Sequence, residues 1–393
     1  MRTIVELYDK EPLENVLSAC IFQPEMIVYI CDARDSSLRK ETAVERFFKS
    51  RGLQTVSRFY YINTSDIKAI EKTMEAICKD YPDCVFDCTG GKDLVLLAAG
   101  IFCREHNVPA YYIDIDRGRL SNLNGCEGLS SRFCMPQLTA EDVFALAGAK
   151  LVGYGHFTPE EMDEDFEKSI PDVWEIVLKN PDAWGATVGY FQAASVGKKD
   201  EDLFVDANTV IRVNQQITAR CNESILERLM QCGVILDLKI ENGHVHFRYR
   251  DIKIKKCLQN HGIWLELYGY LAAKQSGLFK DVRTSVIVDW DNARGKTPST
   301  RNEIDILVVQ GITPVFISCK MGVPSPLALT EIKILSEKFG GGRTRTVMLT
   351  AANVHEENRP LSQRAKDLQI TLLDRGNLQR GEFVQSLQRV VAK

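Results

Sequence analysis

Hydrophobic and polar positions along the first 150 residues switch repeatedly between two periods. Met26 to Cys31 (MIVYIC) is continuously apolar, as expected of a strand buried on both faces. Thr3 to Leu7, Val56 to Ile62, Cys84 to Cys88 and Ala110 to Asp116 read as further strands. Between them lie helical patterns at Pro12 to Cys20, Ser37 to Arg51 (closed by Gly52), Ser65 to Lys79 and Asp93 to His106. Ser65 is the expected N-cap of the third. Apolar strands alternating with helices predict an α/β domain with a mostly parallel sheet covered on both faces, a Rossmann-like layout.

The texture then changes. Gly153 to Asp206 is acidic and interrupted by Pro159, Pro171 and Pro181. A helix over Asn222 to Cys232 ends at Gly233, and two alternating runs, Ile235 to Ile240 and His244 to Arg250, flank Asn242-Gly243. Asn-Gly between such runs signals a hairpin. Helix plus hairpin resembles a small winged-helix unit. From Gly262 the pattern reads helix (Ile263 to Gln275), strand (Asp281 to Trp290), loop, strand (Glu303 to Gln310), strand (Val315 to Cys319), helix (Leu327 to Phe339), strand (Thr344 to Thr350). The expected division is residues 1–150, a linker or winged-helix-like region at 151–255, and a third unit at 256–393.

Composition narrows the classes. The chain has 393 residues, 45% hydrophobic and 26% charged, enough for ordinary cores. A net charge of −4 offers no global attraction to nucleic acid, so such contact must come from local patches. Twelve cysteines without a CxxC pair read as reduced thiols of a cytoplasmic protein rather than a zinc site. No apolar run reaches the roughly 18 residues needed to cross a bilayer, and no signal peptide is visible.

The candidate chemistry gathers at both ends of the chain. Glu303 and Asp305 alternate onto one face of their strand, and Ser318 and Lys320 share a face of the next. Paired as a hairpin, Asp305, Ser318 and Lys320 converge, and Glu266 on the preceding helix can reach the same end. An acid on one strand followed by a strand ending x-x-Lys is the spacing of a PD-(D/E)xK nuclease core. Phosphodiester hydrolysis needs a hard divalent cation, Mn or Mg, held by carboxylates and carbonyls. Lys320 would orient the attacking water and offset transition-state charge. The position of the usual second acid is Ser318. The cation could still be held by Asp305, the Cys319 carbonyl, Glu266 and waters, with Glu303 or Glu331 supplying a carboxylate. The alternative is a weakened or dead site. Arg294, Lys296 and Arg301 on the intervening loop could follow a phosphate backbone or simply lie on the surface.

In the N-terminal unit a strand runs through Thr89-Gly90-Gly91-Lys92 into a helix. Two glycines permit close backbone approach, the helix start offers N–H groups to an anion, and Lys92 adds charge. The turn fits neither Walker A nor GxGxxG, and a purely structural turn is the competing reading. Loops bearing Lys10 and Arg34 belong to the same carboxyl edge of the sheet, where parallel sheets bind ligands. The three cations together suggest a phosphate-bearing ligand.

The order of a TGGK-bearing Rossmann-like domain, a linker and a PD-(D/E)xK core resembles the CRISPR-associated Rossmann-fold (CARF) nucleases of type III CRISPR immunity. Tyr8 to Asp32, with Pro12, Asn15 and Pro24, looks like that family's opening, and Gly262-Ile263-Trp264-Leu265-Glu266 like the start of its nuclease domain. The resemblance implies a homodimer that binds a cyclic oligoadenylate, usually cyclic tetra-adenylate, through Thr89, Gly90, Gly91 and Lys92. Binding would activate metal-dependent cleavage of DNA or RNA by Asp305 and Lys320, with Glu266 in support. Two rivals are a ligand-responsive DNA-binding regulator with a relic core and an enzyme that degrades the cyclic ligand.

Overall fold

The structure is a computed structural model that describes residues 2–35, 38–290, 300–379 and 381–392. Arg294 and Lys296 of the expected basic loop lie outside them. The N-terminal unit contains β1 (Thr3–Leu7), α1 (Leu17–Phe22), β2 (Met26–Asp32), α2 (Leu38–Ser50), β3 (Val56–Ile62), α3 (Ile67–Asp80), β4 (Cys84–Asp87), α4 (Asp93–Glu105), β5 (Ala110–Asp114) and β6 (Arg119–Asn124). Its sheet has the order β3-β2-β1-β4-β5-β6, parallel except for β6. Strand order reverses between β1 and β4, so the loops after these two strands open a crevice at the carboxyl edge.

Next come α5 (Ala140–Leu146), β7 (Lys150–Tyr154), α6 (Glu164–Lys179), α7 (Pro181–Ala194), β8 (Phe204–Asn208), β9 (Val210–Arg212), β10 (Thr218–Arg220), α8 (Glu223–Gln231), β11 (Ile235–Glu241), β12 (His244–Tyr249) and α9 (Ile252–Leu258). The hairpin forms as expected, and β8 adds a third antiparallel strand to it. The C-terminal part follows with α10 (Ile263–Gln275), β13 (Asp281–Asp289), β14 (Arg301–Gln310), β15 (Thr313–Lys320), α11 (Pro326–Gly340), β16 (Arg345–Thr350), α12 (Val354–Glu357), α13 (Arg359–Asp367), β17 (Ile370–Leu373), α14 (Arg375–Gln379) and α15 (Phe383–Val391). Its sheet runs β17-β16-β15-β14-β13-β7. The edge strand β7 therefore reaches it from far upstream, across the expected boundary at residue 150.

Three local expectations are corrected. The helix read from Pro12 begins only at Leu17, because the Asn15 side chain ties up the Asp9 N–H (2.7 Å) and the Asp9 carbonyl (2.9 Å) in a compact loop. Asp66, not Ser65, caps α3, accepting from the Lys68 and Ala69 N–H groups. Of the three prolines in the acidic stretch, Pro171 does not interrupt a helix, whereas Pro181 marks the junction of two. Pro181 sits in the first turn of α7, where its missing N–H has no partner to lose. Pro171 lies inside α6 with its ring exposed, while Phe166, Ile170, Val173, Trp174 and Val177 bury the other face. That burial offsets the lost backbone bond.

One core cluster joins the two large sheets. Tyr29, Phe47 and Phe144 from the N-terminal side pack in it with Leu307, Phe316 and Phe339 of the C-terminal side. A second fills the space between the middle helices, α10 and the opposite face of the C-terminal sheet. No helix among the described residues is long and apolar enough to cross a membrane.

Candidate functional site

At the C-terminal sheet, β14 and β15 pair from Gln310/Thr313 only as far as Ile306/Ile317. Beyond that point the strands part, and the Asp305 side chain fills the gap. Asp305 Oδ2 accepts from the Cys319 N–H (2.6 Å) and the Ser318 hydroxyl (3.1 Å), and Lys320 Nζ stands 3.8 Å away. Asp305, Ser318, Lys320, Glu303 and Glu331 all line one cavity of about 320 Å³, walled by Trp290 and by Ala328, Ile332 and Leu335 of α11. Cys319 itself faces the other way. Its thiol is buried and pushed well above its ordinary pKa by that burial, so only its backbone is available to a hard cation.

Glu266, from the first turn of α10, approaches from the opposite face of the sheet. Burial, followed by the charges of Asp305 and Glu303, pushes its carboxyl up to about 8. Asp305 is likewise raised, first by burial. Carboxylates crowded at this depth fit a divalent cation, which would supply the missing countercharge. The residues that could hold such an ion are Asp305, Glu266 and Glu303, with Glu331 at the exposed rim of the cavity. Two neighbours lacked any local sequence signal. The Ser285 hydroxyl donates to Glu303 Oε1, and His156 Nε2 lies 3.8 Å from Glu266 and 3.9 Å from Glu303. Both reach the site through the pairing of β13 with β7 and β14, a long-range feature.

At the N-terminal sheet, the Thr89–Lys92 turn sits at the reversal point between β1 and β4. Gly91 adopts φ +124, and a Cβ there would meet Leu7 Cβ at 2.7 Å. A Cβ on Gly90 would meet Glu14 Oε2 at 2.9 Å. The Gly91 N–H donates to Asp9 Oδ2 (2.9 Å), and the Thr89 N–H and hydroxyl both donate to the buried Asp87. Gly91 is thus required by its backbone conformation and by packing against the end of β1, and Gly90 lies close against the first loop. Lys92 and Arg34 meet on Asp32, at the end of β2, with the Thr64 hydroxyl. Arg34 first, then Lys92 and Thr64, hold the Asp32 carboxyl well below its usual range. Lys10 is exposed on the loop after β1. All six expected residues therefore stand at the carboxyl edge. The acids that organise them, Asp9, Asp32 and Asp87, were not among those expected.

The two places are physically connected. Glu11 donates its N–H to Asp9 Oδ1 (2.8 Å), and its carboxylate accepts the Gly342 N–H (2.7 Å). Gly342 lies two residues beyond α11, a helix of fifteen residues and about 22 Å whose segment from Ala328 to Leu335 walls the cavity of Asp305.

No protein-family model and no curated protein sequence matches the chain. Solved structures do. Protein VC1899 from Vibrio cholerae superimposes with a TM-score of 0.76 at 19% identity, over 100% of this chain and 98% of that one. Can2 from Sulfobacillus thermosulfidooxidans, solved in complex with cyclic tetra-adenylate, gives 0.72 at 16% identity, over 100% and 99%. At such identities the likeness is one of fold, and it extends from end to end. Over its whole length, therefore, the chain has the fold of these two proteins, an α/β architecture with a Rossmann-like N-terminal sheet.

Proposed function

We propose that this chain is a metal-dependent nuclease switched on by a cyclic oligoadenylate, cyclic tetra-adenylate by preference, in type III CRISPR defence. The observation that carries the reading is the gathering of Asp305, Ser318, Lys320 and Glu303 around one cavity, with Glu266 of α10 near enough to feel the charges of Asp305 and Glu303. Support also comes from the shared fold with a protein solved with cyclic tetra-adenylate. A bound Mn or Mg ion would polarise the scissile phosphoryl group and acidify a water. Asp305 is aimed into the cavity by the Cys319 N–H and the Ser318 hydroxyl. Lys320 presents an ammonium where negative charge grows on the phosphate.

In the sensor crevice a ligand phosphate competes with Asp32 for Lys92 and Arg34, while Thr89, Gly90 and Gly91 offer backbone and Lys10 adds charge. A ligand with twofold symmetry suits a homodimer that presents this edge twice. The Asp9–Glu11–Gly342 contacts give that event a route to α11, and activation requires tighter ligand binding in the cutting arrangement. The protein would act in the cytoplasm on DNA, RNA or both. Ser318, a neutral residue where an acid is usual, is the feature that favours the rival reading of a ligand-responsive DNA-binding regulator that does not cut.

Asp305→Ala and Lys320→Ala test the assignment. Each is expected to abolish activator-dependent cleavage while leaving cyclic tetra-adenylate binding unchanged in calorimetry. Cleavage that survives Asp305→Ala would refute the site.

A further inference from the structure

We propose that His156 is a metal ligand of this chain, completing with Glu266 and Glu303 a cation position beside Asp305 that takes over the role of the carboxylate absent at Ser318. The proposal rests on the metal-dependent reading above and extends it to a residue outside the expected motif.

Three features build this position. Tyr154 pairs with Val286, and the Gly155 N–H donates to the Ser285 carbonyl (2.7 Å), so His156 is the first side chain to leave the sheet edge. A Cβ on Gly155 would fall 2.3 Å from Glu303 Oε1 and 2.7 Å from Ser285 Oγ, so a side chain there would displace both groups. Ser285 holds φ +53, and the pairing of β13 with β14 skips from Thr284/Ile306 to Val286/Ile304 around it. A non-glycine residue in the left-handed region carries strain. Here the distortion turns a buried hydroxyl onto the Glu303 carboxylate.

The spacing points to an ion. One ligand atom each from His156, Glu266 and Glu303 lies within 4.8 Å of the other two. The imidazole stands 3.8 and 3.9 Å from the two carboxylates, too far for a hydrogen bond to either. Ligands each about 2.1 Å from a shared ion stand roughly 3–4 Å apart, which is this geometry. An imidazole also changes which ion is preferred. Mg ions keep to oxygen ligands, whereas later divalent ions accept nitrogen. The position therefore selects Mn over Mg.

The test uses the full chain with Mn alone, without activator or nucleic acid. Mn titration followed by electron paramagnetic resonance should show a bound ion with a nitrogen hyperfine coupling from imidazole. His156→Ala should abolish that coupling and weaken Mn binding about tenfold or more, while Mg affinity changes little. The metal-free melting temperature should hold, because the His156 side chain is 30% exposed and makes no hydrogen bond to either acid. His156→Gln serves as a second variant of similar size, with the same expected loss of coupling. Bound Mn without nitrogen coupling would overturn the assignment of His156 and leave metal dependence standing. No bound Mn at all would overturn both.

Discussion

Replacing Ser318 by glutamate restores the acid usual at this position, and its consequences can be worked out from the surroundings. Ser318 Oγ is 3.1 Å from Asp305 Oδ2, so the new carboxylate would sit roughly 4 Å from Asp305. Two unit charges about 4 Å apart repel by about 4 kcal/mol at an effective dielectric of 20. Asp305 and Glu266 are already raised, so part of this repulsion is relieved by proton uptake rather than by unfolding. The metal-free variant should lose about 2–3 kcal/mol, seen as a melting temperature lower by several degrees. Divalent metal reverses the sign, because the added carboxylate then faces a cation. Mn affinity should rise about tenfold, and saturating Mn should recover most of the lost melting temperature. Thermal denaturation with and without Mn, with calorimetric titration, measures both effects. A variant with wild-type stability in the absence of metal and a wild-type response to Mn would refute the claim that Ser318 borders the cation.

Other predictions follow from the same geometry. Gly91→Ala places a Cβ 2.7 Å from Leu7 Cβ at a left-handed backbone position, so it should cost about 1–3 kcal/mol and weaken cyclic tetra-adenylate binding, both read by calorimetry. Glu266 has its carboxyl raised from an ordinary value near 4.5 to about 8, so its protonated form is favoured in the folded state. Its contribution is fully present below about pH 4.5 and is lost as pH rises through 8, so metal-free stability should fall across that window, and saturating Mn should flatten the slope. Glu11→Ala removes the acceptor of the Gly342 N–H, and should leave ligand affinity near wild type while reducing ligand-stimulated cleavage several-fold.

Periodicity located elements better than contacts. Val56–Ile62 and Ile263–Gln275 have the boundaries that their apolar spacing predicts, since each is an amphipathic or buried segment with a clean stop. The spacing of Asp305 and Lys320 was legible because both lie on consecutive strands of one hairpin. His156 was not, because its place depends on β7 pairing with β13 some 130 residues onward. The helix Glu164–Lys179 was hidden by Pro171, a residue whose local penalty is offset only by tertiary burial. In the crevice at the carboxyl edge of the N-terminal sheet, the cations Lys10, Arg34 and Lys92 are legible in the sequence as candidate phosphate partners. Asp9, Asp32 and Asp87, which hold that crevice together, carry no short-range pattern that separates them from solvated acids.

Gating of a nuclease by a cyclic nucleotide is decided by incubating the full chain with single- and double-stranded DNA and RNA in Mn, with and without cyclic tetra-adenylate. Cleavage of at least one of these substrates is expected when metal and activator are both present, and none when either is omitted. Intact substrates under every condition, with cyclic tetra-adenylate bound, would contradict it.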